Sequence, residues 1–211
     1  VGDASMHIHG APIEDPNHAR TIVAVGLQML DAVDAYTKEM EAQGLPPAAM
    51  GWGCNTGIGF IGEMGSTERH SYDILGDMVS TAARLEARCK AYGVLCIIGA
   101  ETYNRTSNDF FYLMLDNLQP KGKTVADLIY TALRVKGDEK KYKAARVTHS
   151  KMHELYKRKE FKAAQILCEE LHGEFDGQMD KYYKMWIERC DFMAEQNLPE
   201  NWNGEFIAHE K

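Results

Sequence analysis

The chain has 211 residues, enough for one good-sized domain or a domain with a small appendage. Hydrophobic residues make up 45% and charged residues 26%, the balance of an ordinary globular protein. The net charge of −7 excludes the broad cationic footprint that nucleic acid requires, but it leaves room for a phosphate pocket built from a few local cations.

Residues 1–4, Val-Gly-Asp-Ala, read as the middle of a strand hairpin, so the chain is expected to be a piece of a longer one. Residues 4–9 alternate Ala, Met and Ile with Ser, His and His, the period of a half-buried strand. This places His7 and His9 on one strand face, a spacing that metal sites use. No third ligand with matched spacing is visible, so both are expected as partly exposed residues near a sheet edge. Asp15-Pro16 offers an N-cap and a first-turn proline. A helix over 17–43 follows, with Ile22, Val25, Met29, Val33, Tyr36 and Met40 as its apolar face. Gly44 and Pro46-Pro47 close it.

Residues 49–56 and 59–63 read as the strands of a glycine-rich hairpin, and 70–75 as another strand. Gly76-Asp77 turns the chain into a helix over 78–92, with Val79, Ala82, Ala83 and Leu85 inward and an inward-facing Arg84. A short buried strand over 94–98, a helical turn over 101–106 and strands over 110–118 and 125–134 follow. The last two are joined at Lys121-Gly122-Lys123. Strands and helices alternate without strict βαβ order, which predicts an α+β sandwich with helices over one antiparallel sheet.

Composition shifts at Lys136, and charged residues fill 137–143. Helical patterns alone come after, over about 141–158, 160–171 and 179–194. Residues 153–171, HELYKRKEFKAAQILCEEL, have the small-and-aromatic rhythm of a tetratricopeptide-like hairpin. One such unit cannot bury its own face, so it must pack on the main domain or on a partner. The tail, 198–211, is expected to be extended, with Trp202 and Phe206 as anchors. The five cysteines are scattered and form no CxxC or CxxH pair, which argues against a zinc site or a disulfide framework and for a reducing cytosol. No apolar run approaches a membrane span, so any membrane attachment is expected only through segments upstream.

Residues 55–86, NTGIGFIGEMGSTERHSYDILGDMVSTAARLE, resemble the dimerisation hairpin and the catalytic strand and helix of the class III nucleotide cyclases. VGDASMHIHGAPIEDPNHA is similar to that family's metal-binding hairpin. YGVLCIIGAETYNRT and LDNLQPKGKTVADLIYTAL are similar to its closing strands. The helical part and NWNGEFIAHEK are similar to the extension of bacterial receptor-type members. The resemblance implies a ferredoxin-like cyclase sandwich over 1–135, incomplete at its N-terminus, with a helical extension over 136–211. It implies a homodimer with sites across the interface, ATP or GTP as substrate, a 3′,5′-cyclic nucleotide and pyrophosphate as products, and two Mg2+ or Mn2+ ions.

Residue by residue, the resemblance assigns Asp3 to a metal-binding carboxylate, a hard ligand suited to those ions. Asp73 takes the base-reading position, where a carboxylate accepts from the adenine amino group but cannot usefully pair with the guanine carbonyl. This favours ATP. Arg84 takes the place of the arginine that stabilises charge on the transferring phosphorus; read on its own, it is a surface residue paired with Glu86 or Asp77. Lys123, with Lys121 nearby, takes the triphosphate-binding turn. Ser80 stands where the family has a transition-state asparagine, and a lost donor of that kind costs roughly two to three decades of rate. The other metal-binding aspartate, the phosphate-cradling loop and a base-recognising lysine are implied upstream of this chain, which alone is expected to be inactive. An alternative follows from Ser80: a degenerate cyclase homologue that binds a nucleotide or a protein without turnover.

Overall fold

The computed structural model describes residues 4–66, 69–118 and 127–206. Its elements are α1 (His18–Ala42), β1 (Trp52–Cys54), β2 (Phe60–Ser66), β3 (Arg69–Leu75), α2 (Asp77–Tyr92), β4 (Cys96–Gly99), α3 (Ala100–Thr106), β5 (Tyr112–Leu118), β6 (Asp127–Ala132), α4 (Lys143–Lys157), α5 (Phe161–Glu170) and α6 (Asp180–Ala194). The expected α+β fold is present. The main sheet has the order β1-β4-β6-β5, and β2 and β3 form a separate two-stranded sheet. The main sheet is mixed: β1 pairs with β4 in parallel, and the other pairs are antiparallel.

Period-two alternation splits the core into two layers. On β4, Ile97 faces the layer shared with α2 and α4–α6, while Cys96 and Ile98 face the layer shared with Val23 and Leu30 of α1. Leu113 and Leu115 of β5 join the first layer, and Tyr112 joins the second. The three C-terminal helices therefore pack on the sheet and share one continuous core with it.

Several expectations need correction. Residues 4–9 form no strand. A strand exists only as a paired backbone ladder, and no described strand runs beside this segment. Residues 49–56 and 59–63 are not hairpin partners: β1 is only three residues long and pairs with β4, and β2 pairs with β3. Local alternation reveals a strand but not which strand it will meet. The buried stripe of α1 is Ala19, Val23, Gly26 and Leu30, rotated from the expected face, and Tyr36 is exposed. Apolar residues surround much of this helix, so packing chose the face. In α2 the buried residues are Leu85, Cys89 and Tyr92, while Ala83 and Arg84 are exposed.

The helices α4 and α6 cap β5, the edge strand of the main sheet, where an unpaired backbone would otherwise be open to pairing. A bulge between Met114 and Asp116 marks the contact. His149 Nε2 lies 2.7 Å from the Met114 carbonyl, and Tyr182 donates its hydroxyl to the Leu115 carbonyl at 2.6 Å. A carbonyl only accepts, so His149 carries its proton on Nε2, and its Nδ1 accepts from the Tyr183 hydroxyl at 3.0 Å. The Tyr182 oxygen in turn accepts from His153 Nε2 at 3.1 Å. The tail closes over the helices as expected: the Trp202 ring sits 5.1 Å from that of Tyr156, and Lys159 Nζ donates to the Pro199 carbonyl at 2.8 Å.

Burial pushes the His149 pKa down to about 4. Burial, and next the charge that His149 would carry, hold His153 well below the usual histidine range. Both therefore stay neutral in the fold but take up protons near pH 6.5 when unfolded. Their stabilisation is complete above that pH and falls as pH drops below about 6.5; for His149 the fall runs toward about 4, by up to ~1.4 kcal/mol per pH unit. Thermal unfolding should show Tm falling through this window. His149→Gln keeps a donor for Met114 and should flatten the fall; an equally steep fall in the variant would count against this origin.

Candidate active site

Of the positions singled out by the sequence, Asp73 falls on β3 and Ser80 and Arg84 in the first half of α2, the two elements being joined by Gly76. Asp73 is half-buried on β3, opposite Gly62 of β2. Directly opposed residues share a face, and a side chain built at Gly62 would meet nothing within 4 Å, so the space beside Asp73 is open. Asp73 Oδ1 accepts from the Ile74 N–H at 2.8 Å, and Oδ2 has no partner among the described residues. The same alternation puts Leu75 and its partner Phe60 on the Asp73 face, exposed at 59% and 80%. Ile74 faces the other way and is buried beside Met78 of α2.

Ser80 and Arg84 are four residues apart and so share one face of α2. Both are exposed. Arg84 Nη2 donates to Thr81 Oγ1 at 3.1 Å, and this contact, rather than one with Glu86 or Asp77, orients the guanidinium. Thr81 is thus a supporting residue that the sequence reading missed; its i−3 spacing was the available signal. Ser80 donates its hydroxyl proton to the Asp77 carbonyl at 3.0 Å. Its only donor is therefore turned back onto the helix. Among the described residues, Asp73 forms no hydrogen bond or ion pair with Ser80 or Arg84. Asp3, Lys121 and Lys123 lie outside the described residues.

The backbone of β1 positions α2. A Cβ at Gly53 would lie 2.2 Å from the Ala82 carbonyl oxygen and 2.3 Å from the Glu86 nitrogen, so only glycine permits this approach. Cys89 adds a thiol contact to the Trp52 carbonyl at 3.5 Å. At the far end, Gly93 caps the helix in the left-handed region at φ 65°, pressed against Lys181 at the start of α6. The loop before β2 is tied to α3 by Thr56 and Thr102, whose hydroxyl oxygens are 2.8 Å apart. All five cysteines are free and buried. Burial pushes Cys54, Cys89, Cys168 and Cys190 up to about 12, which excludes them as thiolate nucleophiles at neutral pH.

The chain thus has a mixed sheet flanked by helices, with a carboxylate on β3 and an exposed arginine two turns into the helix that follows it. Residues 1–136 match the adenylate and guanylate cyclase catalytic domain, and the chain belongs to that family. Adenylate cyclase 1 of Rhizobium meliloti is 28% identical over 134 residues, covering 64% of this chain and 20% of that protein. The terminal-differentiation-specific adenylate cyclase of Dictyostelium discoideum is 28% identical over 199 residues, covering 90% of this chain and 9% of that protein. The chain thus spans a small part of these relatives. Among solved structures, the adenylyl cyclase CyaB from P. aeruginosa shares the fold with a TM-score of 0.54 at 24% identity, covering 62% of this chain and 67% of that one. A guanylyl cyclase matches with a TM-score of 0.51 at 27% identity, covering 61% of this chain and 64% of that one.

Gly53→Ala should force α2 away from β1, because backbone atoms cannot yield as a side chain can. The expected cost is about 1–3 kcal/mol of stability, read by denaturant unfolding. A variant as stable as the parent would show that the close approach does not constrain the helix.

Proposed function

We propose that this chain is the catalytic domain of an adenylate cyclase, converting ATP to 3′,5′-cyclic AMP and pyrophosphate at the interface of a homodimer. The observation that carries the choice of ATP is Asp73: half-buried, beside open space, with Oδ2 available to accept from the adenine amino group. Support for a second copy comes from the same face, where Phe60 and Leu75 stand exposed beside Asp73 and Ile58 precedes them at 97% exposure. Large apolar side chains grouped in this way are those that a protein interface covers. We read residues 1–135 as the catalytic domain and 136–211 as its extension, a division supported by the family match ending at residue 136.

In this reading the 3′-hydroxyl releases its proton to solvent as its oxygen attacks the α-phosphorus, the bond from that phosphorus to the oxygen shared with the β-phosphate breaks, and pyrophosphate leaves with that oxygen. Arg84 supplies its guanidinium to the charge that builds on the phosphoryl oxygens. Lys121 and Lys123 hold the triphosphate. Ser80 contributes a donor only after releasing Asp77, which makes it a weaker group than an asparagine amide. Asp3, outside the described residues, would be one of the carboxylates that hold two Mg2+ or Mn2+ ions, which would supply positive charge to the triphosphate and acidify the attacking hydroxyl. Among the described residues no group of three His, Cys, Asp or Glu side chains could hold an ion. The roles above are therefore those of the chain's own groups. No helix of the described residues is long and apolar enough to cross a membrane, and a cytoplasmic location is part of the proposal.

The test is turnover by the full-length protein with ATP and with GTP, each with Mn2+ and Mg2+. Cyclic AMP should be the main product, and Arg84→Ala should lower its formation by about a hundredfold or more. No cyclic nucleotide under any of these conditions, with nucleotide still bound, would establish the second reading instead. That reading, a homologue that binds without turnover, is favoured by the Ser80 hydroxyl bonded back to Asp77, and product restored by Ser80→Asn would mark Ser80 as the cause of the lost turnover.

A further inference from the structure

The helical extension and the end of α2 share one buried carboxylate as a hydrogen-bond partner. Asp116, on β5, receives two hydrogen bonds on the same oxygen: the Tyr92 hydroxyl donates to Oδ2 at 2.6 Å, and Arg189 Nη1 donates to it at 2.5 Å. The side chains of Arg189 and Asp116 are 6% and 2% exposed. The three residues come from three elements. Tyr92 is the last residue of α2, Asp116 follows the bulge of β5, and Arg189 belongs to α6.

Arg189 is itself enclosed. Its guanidinium lies 4.5 Å from the Trp186 ring, 5.5 Å from Tyr92 and 4.3 Å from Phe206 of the tail. One residue beyond Tyr92, Gly93 abuts Lys181 of α6, and a Cβ at Gly93 would lie 2.6 Å from the Lys181 Cβ. The C-terminal end of α2 is thus held by β5 and α6 together. Ser80 and Arg84 lie three and two turns up the same helix. A helix transmits a shift of one end to the other as a nearly rigid rod, and the segment carrying Lys121 and Lys123 follows β5 directly in the chain.

We propose that Arg189 is a positioning residue for the cyclase reaction: through Asp116 and Tyr92 it clamps the end of α2 to β5, so that the helical extension sets the pose of Arg84 and Ser80. This rests on the reading of Arg84 given above. The extension then acts on turnover without touching substrate. A misplacement of about 1 Å at a reacting group costs on the order of a hundredfold in rate, so a small movement of the clamp has a large readout.

The test uses the full-length protein and two mild variants. Tyr92→Phe removes the hydroxyl but leaves the ion pair and the ring in place. Arg189→Lys keeps the charge but loses the planar fork. Each is assayed well below its own Tm, so that loss of fold does not enter. The expected result is a kcat lowered by about tenfold or more with KM for ATP changed less than about twofold, the pattern of a transition-state effect. Hydrogen exchange should quicken across residues 77–92 and stay unchanged in α1 (18–42). A parent-like kcat or parent-like exchange over 77–92 in either variant overturns the proposal. If the parent makes no cyclic nucleotide at all, the functional reading fails separately, and the exchange measurement alone decides whether Arg189 positions α2.

Discussion

Asp116 is the point on which the rest of this structure depends. It is a carboxylate in the core, and burying a charge is costly unless it is paired and hydrogen-bonded. Arg189 and Tyr92 meet that demand only if α6, β5 and α2 are all in place. Burial, followed by the Asp116 carboxylate, pushes the Tyr92 phenol up, so it remains a donor. Removing one member of a buried pair typically costs about 3–5 kcal/mol, a large share of a domain's total stability. A buried pair is not needed for stability as such, since apolar residues of similar volume often do as well. Its effect here is orientation: a planar guanidinium and a phenol can meet one carboxylate oxygen in few ways, and this fixes the approach of three elements.

The same junction resolves the edge of the sheet. The strand β5 presents its Met114 and Leu115 carbonyls and the Asp116 side chain to the helices, and each finds a partner in His149, Tyr182 or Arg189. The bulge that disturbs the ladder here is the feature that turns three consecutive residues toward α4 and α6. Stability and the placement of the end of α2 therefore draw on one set of bonds. The β2–β3 sheet is the opposite case. It pairs only with itself, buries Ile74 against α2, and leaves Phe60, Tyr72 and Leu75 exposed. The part of the molecule that bears Asp73 is thus the part with the least cover of its own.

Much of the architecture was legible in the residues. Helical periodicity marked α1, α2 and α4 to α6 to within a few residues at either end, and Trp202 and Phe206 were visible as tail anchors. The failures have a common cause. Residues 4–9 alternate like a strand, but a strand is made by its neighbour. Residues 49–56 read as half of a hairpin, but β1 joins β4 across more than forty residues. The face of α1 differs from the expected one because the Trp52 ring seats on Gly26, a contact that apolar periodicity does not mark. Arg84 was expected to face inward because small residues precede it, yet Leu85 and Cys89 carry the burial and leave it outside.

The sequence by itself determined the helices, the family and the candidate chemistry: a carboxylate at 73, an arginine at 84, and a serine where an amide was expected. These follow from residue type and spacing, which are local. The Ser80 bond to Asp77 and the Arg84 bond to Thr81 are local contacts within α2, whereas tertiary structure alone decided that Asp116, Tyr92 and Arg189 converge. Those three residues are separated by 24 and 73 positions, and nothing in their neighbours announces the meeting. Their convergence is set by the folding of α6 onto β5, because a buried charge can be satisfied only by groups that the whole chain brings to it.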